Sequence, residues 1–407
     1  MTNGKNSIVG QSGGPTAVIN ASLAGVAAAA MAAGGRVYGM QHGVQGLARG
    51  EVLALEPLLN SADAIDLLKT TPAAFLGSCR RRLPAAQDDP EAYRTLFRRL
   101  EELEIGAFYY IGGNDSMDTI QKLHDYGAAI GSPIRFVGVP KTIDNDLAVT
   151  DHTPGYGSAA RYIATVMKEL IADSLVYDEK RVTLVEIMGR NAGWLAGAAA
   201  LAAGPDCPGP DLLYLPETPF DPEDFIARVA ALQNTRQSVV VALSEGIRLA
   251  DGRYVCELNA DEAQIDVFGH RQLSGAAATL SAMLSTRLGA KCRAVELSTM
   301  QRCAAHLASA TDQEEAFAAG QAAVQAAQRG ESGVMVTLQR TAQQPYACSC
   351  GLADVHGIAN AEKTVPPEWI DTERASVTPA FLEYVRPLIQ GQPQLRWQDG
   401  LPRHFSG

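Results

Sequence analysis

The stretch Arg135–Asp146, RFVGVPKTIDND, decides the fold. Its first five residues form an apolar run of strand length. Pro140 has no N–H for a sheet ladder and is expected to stop the strand. Lys141, Thr142, Asp144 and Asp146 then fall on a loop at a strand's carboxyl end, which is where open α/β sheets bind ligands. A lysine among carboxylates suits phosphoryl transfer. One carboxylate can take a proton from an attacking hydroxyl, another can help hold Mg2+, and the ammonium can neutralise phosphate charge. The same residues also read as a polar turn whose Asp and Asn side chains satisfy local backbone groups.

Moving outward, the pattern repeats. Ile8–Val9 opens a strand that runs into Gly10-Gln11-Ser12-Gly13-Gly14-Pro15, with Pro15 well placed to begin a helix. Such a loop lets backbone N–H groups approach an anion, or is a plain βα turn. Its spacing is neither GxGxxG nor the P-loop GxxxxGK[ST]. Ala107–Ile111 (AFYYI) is a buried-strand signal ending in Gly112-Gly113-Asn114-Asp115-Ser116. Asn114 or Asp115 can cap the following helix. An acid there also repels phosphate unless a cation compensates. Arg80-Arg81-Arg82 follows a Gly-Ser turn and reads either as a phosphate contact or as a solvated basic face.

Further along, the strand Arg181–Ile187 ends in Met188-Gly189-Arg190, and Ser238–Leu243 ends in Ser244-Glu245-Gly246. A short strand Ala294–Leu297 lies between Arg293 and Thr299-Met300-Gln301-Arg302. Helices are expected over Pro57–Leu68, Glu91–Leu103, Ala192–Ala203, Pro222–Gln233, Leu273–Leu288 and Ala304–Arg329. A last strand covers Gly333–Leu338, and the less patterned tail carries a helix at Pro379–Ile389. Alternating strands and helices predict an α/β architecture with mainly parallel sheets.

The composition fits. The chain has 407 residues, 46% hydrophobic and 19% charged, enough for a large core divided among two or three domains. A net charge of −11 argues against non-specific nucleic-acid binding, though a local arginine cluster still admits anionic substrates. The seven cysteines show no CxxC or zinc spacing, which reads as reduced cytosolic thiols and a cytoplasmic protein. The N-terminus lacks the pattern of a signal peptide, and Val26–Ala33 is too short to span a bilayer, so no membrane association is expected.

Taken together, SGGPTAVIN, FLGSCR, GGNDS, PKTIDND, MGR, SEG and a terminal QR resemble the phosphofructokinase family in content and order, over roughly Ile8 to Leu338. The resemblance implies two Rossmann-like three-layer domains with the active site in the cleft between them. Residues 1–155 plus about 303–340 would form the larger, donor-phosphate domain, 156–302 the smaller, sugar-phosphate domain, and 341–407 an extension. It implies transfer to the 1-hydroxyl of fructose 6-phosphate. Asp144 would be the base, Asp146 its supporting acid, and Thr142 a contact to the sugar or the moving phosphoryl group. Gly14, with Gly13 and Arg80, would meet the donor phosphate. Met188, Gly189 and Arg190 would form the sugar-phosphate segment, Glu245 would accept from a sugar hydroxyl, and Arg302 would bind the 6-phosphate. Arg181 and Arg293 would reach it from a neighbouring subunit, which implies a homodimer or homotetramer. Thr299 stands where many relatives have histidine or tyrosine.

The resemblance also bears on the donor. ATP-using relatives carry Gly-Gly-Asp-Gly and Pro-Gly where this chain has Gly112-Gly113-Asn114-Asp115 and Pro140-Lys141. Asp115 would repel the α-phosphate of ATP, and Lys141 would grip a phosphate with no adenosine behind it. Both changes match a pyrophosphate-dependent branch, with Mg2+ bridging the donor and Asn114 in place of the usual metal-linked acid. ATP as donor, sedoheptulose 7-phosphate as acceptor, and an inactive sugar-phosphate-binding regulator are the competing readings. Two arginines of the effector pocket in allosteric relatives fall at Ala24 and Glu51, so an anionic effector is not expected there.

Overall fold

A computed structural model describes residues 5–80, 82–259, 275–358 and 361–406. Arg81 and the first two residues of the expected Leu273–Leu288 helix lie outside these. In chain order come β1 (Asn6–Gln11), α1 (Ile19–Ala32), β2 (Val37–Met40), α2 (Gly43–Arg49), β3 (Val52–Ala54), α3 (Ala62–Lys69), α4 (Pro90–Glu102), β4 (Ile105–Gly112), α5 (Asn114–Ala129) and β5 (Arg135–Pro140). These are followed by α6 (Tyr156–Ser174), β6 (Arg181–Ile187), α7 (Trp194–Ala198), β7 (Leu212–Tyr214), α8 (Pro222–Gln233), β8 (Ser238–Ser244), α9 (Ala276–Leu288) and β9 (Lys291–Glu296). The chain ends with α10 (Met300–Cys303), α11 (Ala310–Gln328), β10 (Val334–Gln343), β11 (Tyr346–Asp354), α12 (Pro379–Val385) and small two-stranded ribbons.

The chain divides into two compact units. Unit 1 holds Met1–Ser158, Arg302–Glu362 and Leu388–Gly407, and unit 2 holds Ala159–Gln301 and Lys363–Pro387. The residues after 341, expected as an extension, are thus divided between the units. Within unit 2, the Trp194 ring stacks on Phe381 of α12 at 6.0 Å.

Unit 1 is a seven-stranded sheet in the order β11-β10-β5-β4-β1-β2-β3. Its inner strands are parallel, and β3 and β11 are antiparallel edges. Strand alternation fills both faces. Tyr109 and Ile111 of β4 point into a core with Leu23 and Val26 of α1 and Ala323 of α11. Phe108 and Tyr110 point the other way, toward Phe97 of α4 and Ile120 of α5. A strand covered on both faces reads as a continuous apolar run, which is why AFYYI is so legible. Unit 2 is a four-stranded parallel sheet, β7-β8-β6-β9, with α8 and α9 packed on Val182, Leu184, Val239 and Val241.

Several expectations need correcting. The strand does end at the proline, but one residue later than expected: Pro140 is the last residue of β5 and pairs with Gly112. The next ladder bond comes from the Lys141 N–H, which donates to the Gly112 carbonyl at 3.0 Å, so the missing proline donor is not needed. The helix expected from Ala304 begins at Ala310, because Ser309 is extended and its hydroxyl caps the Asp312 N–H. Ala192–Ala203 contains only the short α7 and a 3-10 turn. Pro57–Leu68 is helical only from Ala62. The strand expected to end at Leu338 runs on to Gln343 and turns back as β11, which the sequence reading missed. Among the described residues no helix is long and apolar enough to cross a membrane.

Candidate active site

In unit 1, β5, β4 and β1 are adjacent and parallel, so their carboxyl ends share one edge of the sheet. The strand order reverses between β1 and β4, because β2 lies on one side of β1 and β4 and β5 on the other. Such a switch point opens a crevice at the carboxyl ends. Three loops meet there: Ser12-Gly13-Gly14 after β1, Gly113-Asn114-Asp115 after β4, and Lys141–Asp146 after β5.

Both glycines lie close to cations. A Cβ on Gly13 would come within 3.1 Å of the Lys141 ammonium, and one on Gly14 within 3.0 Å of Arg302 Nη1. Gly13 also has φ +76°, a left-handed conformation that side-chain-bearing residues avoid. The first glycine turn is therefore pressed against two cations. Lys141 is 4% exposed. Burial lowers its pKa to about 8 against the opposing pull of Asp144 and Asp146, and Arg302 and Arg80 lower it further. Arg302, expected with the sugar-phosphate groups, belongs to unit 1 and lies beside Gly14.

The two acids stand on one short loop. The Asp144 N–H donates to Thr142 Oγ1 at 3.1 Å, and that hydroxyl donates to Asp144 Oδ2 at 3.4 Å. Asn145 between the acids is fully buried at φ +55°, and its Oδ1 accepts from the Thr153 N–H at 3.1 Å. Burial, then the neighbouring Asp144, pushes the Asp146 carboxyl up to about 7. Asp146 thus gains a proton below about pH 7, and Lys141 loses one above about pH 8. We expect kcat/KM for the phosphate donor to fall on both sides of that window, as read from initial rates across pH.

Asn114 and Asp115 open the first turn of α5. Asp115 pairs with Arg82 at 2.9 Å, with both side chains more than half exposed, so the pair is solvent-screened. Sequence reasoning missed Arg82 as the partner of Asp115. Asn114 Oδ1 is buried with no hydrogen-bond partner among the described residues. An orphaned amide oxygen at a phosphate site suits a hard divalent cation, which takes oxygen ligands.

Unit 2 has its own strand-end cluster. Ile187 of β6 pairs with Ser244 of β8, so Met188-Gly189-Arg190 and Glu245 emerge side by side. The Gly189 N–H donates to Glu245 Oε1, and the Met188 N–H to Gln301 Oε1, each at 3.3 Å. Gln301 is 2% exposed and was not singled out from sequence. Buried Arg190 Nε has no hydrogen-bond partner among the described residues. Thr299 is exposed beyond β9. Arg181 and Arg293 lie on neighbouring strands β6 and β9. Arg181 sits over the Tyr177 ring and is paired with Glu179, while exposed Arg293 is 3.7 Å from Asp173. Of the two positions compared with the effector pocket, Ala24 is wholly buried in α1 and Glu51 is held by Arg49 at 2.6 Å.

An α/β sheet that brings a buried ammonium, paired carboxylates and arginines to its switch point defines a phosphate-handling enzyme fold. The phosphofructokinase family model matches residues 6–297, and the chain belongs to that family. Over its whole length it is 41% identical to a pyrophosphate–fructose 6-phosphate 1-phosphotransferase of Xanthomonas campestris, covering 96% of that protein. It is 38% identical to one of Methylococcus capsulatus, with 99% and 96% of the two chains covered. The crystal structure of a pyrophosphate-dependent phosphofructokinase from Nitrosospira multiformis superposes with a TM-score of 0.88 at 35% identity, covering 98% of this chain and 96% of that one.

Proposed function

We propose that the protein transfers a phosphoryl group from pyrophosphate to the 1-hydroxyl of fructose 6-phosphate, giving fructose 1,6-bisphosphate and phosphate, reversibly and with Mg2+. The observation that carries this reading is the buried Lys141 ammonium seated against Gly13 beside the paired aspartates. Full-length likeness to relatives of that name supports it.

In this reading unit 1 handles the donor. Lys141, Arg80 and Arg302 neutralise the phosphates, and the backbone of Gly13 and Gly14 allows their close approach. Asp144 takes the proton from the 1-hydroxyl as its oxygen bonds to phosphorus and the bridging P–O bond breaks, releasing orthophosphate. Asp146 keeps the loop acidic, and Thr142 orients Asp144. Asn114 would hold Mg2+, which when bound offsets charge on the donor oxygens. Asp115 disfavours a third phosphate and its nucleoside. Unit 2 handles the sugar phosphate through Met188, Gly189, Arg190 and Glu245, with Thr299 nearby in sequence. Arg181 and Arg293 would serve a neighbouring subunit of a homodimer or homotetramer, and the enzyme would work in the cytoplasm.

The test is an assay of purified protein with Mg2+, fructose 6-phosphate and each donor. Turnover is expected with pyrophosphate. Robust turnover with ATP and none with pyrophosphate would overturn the reading. The same assay with sedoheptulose 7-phosphate sets the acceptor range.

A further inference from the structure

A cluster outside the reacting groups governs the shape of the Asp144 loop. The loop is closed by its own return arm. The Thr142 N–H donates to the Pro154 carbonyl at 3.2 Å, and Thr153 Oγ1 donates to the Thr142 carbonyl at 2.9 Å. The closed loop is strained at two points: Asn145 at φ +55° and the β-branched Val149 at φ +60°. Such residues cost about 1–3 kcal/mol each and persist only where their surroundings hold them.

What holds them is the N-terminal part of α11 together with the β10–β11 hairpin. Asp312 accepts from the N–H groups of Gly155 and Ser158 at 2.8 and 2.9 Å. One turn along α11, Glu315 Oε2 lies 2.7 Å from His152 Nε2. On the other side of the ring, Nδ1 is 2.8 Å from Asp151 Oδ1. The imidazole is 1% exposed. Ionised carboxylates only accept, so a ring with both nitrogens against carboxylates carries two protons and a positive charge. The Tyr346 hydroxyl donates to Glu315 Oε1 at 2.6 Å, and Arg340 pairs with Asp151 at 3.0 Å.

We propose that His152 is a positioning residue: as an imidazolium clamped between Asp151 and Glu315, it ties the return arm of the Asp144 loop to α11 and the β10–β11 hairpin. This rests on the phosphoryl-transfer reading given above. The groups facing the ring are Asp151 on its own loop, Arg340 of β10, Glu315 of α11, and Tyr346 and Cys348 of β11. Burial opposes the charge on His152, but the hydrogen bonds to Asp151 and Glu315 outweigh it and raise its pKa. The charge on His152 that the clamp needs is therefore present below the ordinary histidine value and is lost as the pH rises through the raised one.

Two variants test it, His152→Gln and Glu315→Gln, with Cys348→Ser as a control. With saturating pyrophosphate, Mg2+ and sugar phosphate, kcat is expected to fall about tenfold, within the hundredfold that a 1 Å misplacement can produce, while both KM values stay within about twofold. Cys348→Ser should keep kcat. Ring nitrogen resonances should show a doubly protonated His152 at neutral pH, and Glu315→Gln should move its titration to lower pH. That spectrum does not depend on which phosphate donor the enzyme takes, so a failed donor assay and a failed clamp are separable. A neutral His152 at pH 7, or folded variants with unchanged kcat, would overturn the proposal. So would a stoichiometric thiolate–cobalt absorption band on Co2+ titration that Cys348→Ser abolishes. The ligand atoms of His152, Glu315 and Cys348 lie within 4.8 Å of one another, and such a band would make the cluster a metal centre instead.

Discussion

Asp144→Asn is expected to cut kcat by about a thousandfold, inside the range of about 10²–10⁴ that a positioned proton acceptor contributes. Asparagine keeps the size and planarity of the side chain, so the contact to Thr142 Oγ1 can persist. What it cannot do is accept a proton from the 1-hydroxyl as the new P–O bond forms. KM for the sugar phosphate should change by less than about threefold, because loss of a transition-state interaction appears in kcat. Asp146→Asn makes the comparison informative. Its carboxyl already sits near neutrality because of burial and Asp144, so removing its charge should lower the rate less and flatten the acid limb of the pH profile. If Asp144→Asn stayed within about tenfold of the parent, proton acceptance would have to be assigned to another group.

Lys141→Met is expected to raise KM for pyrophosphate by about 10- to 150-fold, the equivalent of about 1.5–3 kcal/mol for a hydrogen bond to a charged group. Methionine matches the length of the lysine stem and fits a buried site. The loss falls on the donor because the ammonium sits against Gly13, and because its removal leaves Asp144 and Asp146 facing an anionic substrate uncompensated. Lys141→Arg should not restore affinity: a planar guanidinium is bulkier than the ammonium, and the side chain it would replace is 4% exposed. Donor saturation curves at constant free Mg2+ measure both changes. An unchanged KM for pyrophosphate would remove Lys141 from the donor site.

The parts legible in the sequence were those whose cause is local. Apolar runs followed by glycine turns identified β1, β4, β6 and β8, and an apolar run followed by proline identified β5, because buried strands and the turns after them each leave their own composition. Lys141, Asp144 and Glu245 followed from their places after those runs. The parts that were not legible depend on distant pairing. β11, YACSCGLAD, carries small and polar residues and becomes a strand by its antiparallel register with β10. Asp312 and Glu315 read as ordinary acids of an alanine-rich helix, yet they hold a loop more than 150 residues earlier. The family resemblance assigned Arg302 to the 6-phosphate, and nothing in its local sequence shows that its guanidinium lies beside Gly14. Pro140 marked the strand's end to within one residue, but its own place in the ladder opposite Gly112 depends on the neighbouring strand.

The most direct measurement runs the proposed reaction backwards. Purified protein with Mg2+, fructose 1,6-bisphosphate and orthophosphate is followed by phosphorus-31 spectra. A pyrophosphate resonance should grow as orthophosphate and the 1-phosphate ester are consumed, with no nucleotide present. No pyrophosphate from that mixture, with ATP appearing instead when ADP replaces orthophosphate, would contradict a site built for a bare diphosphate.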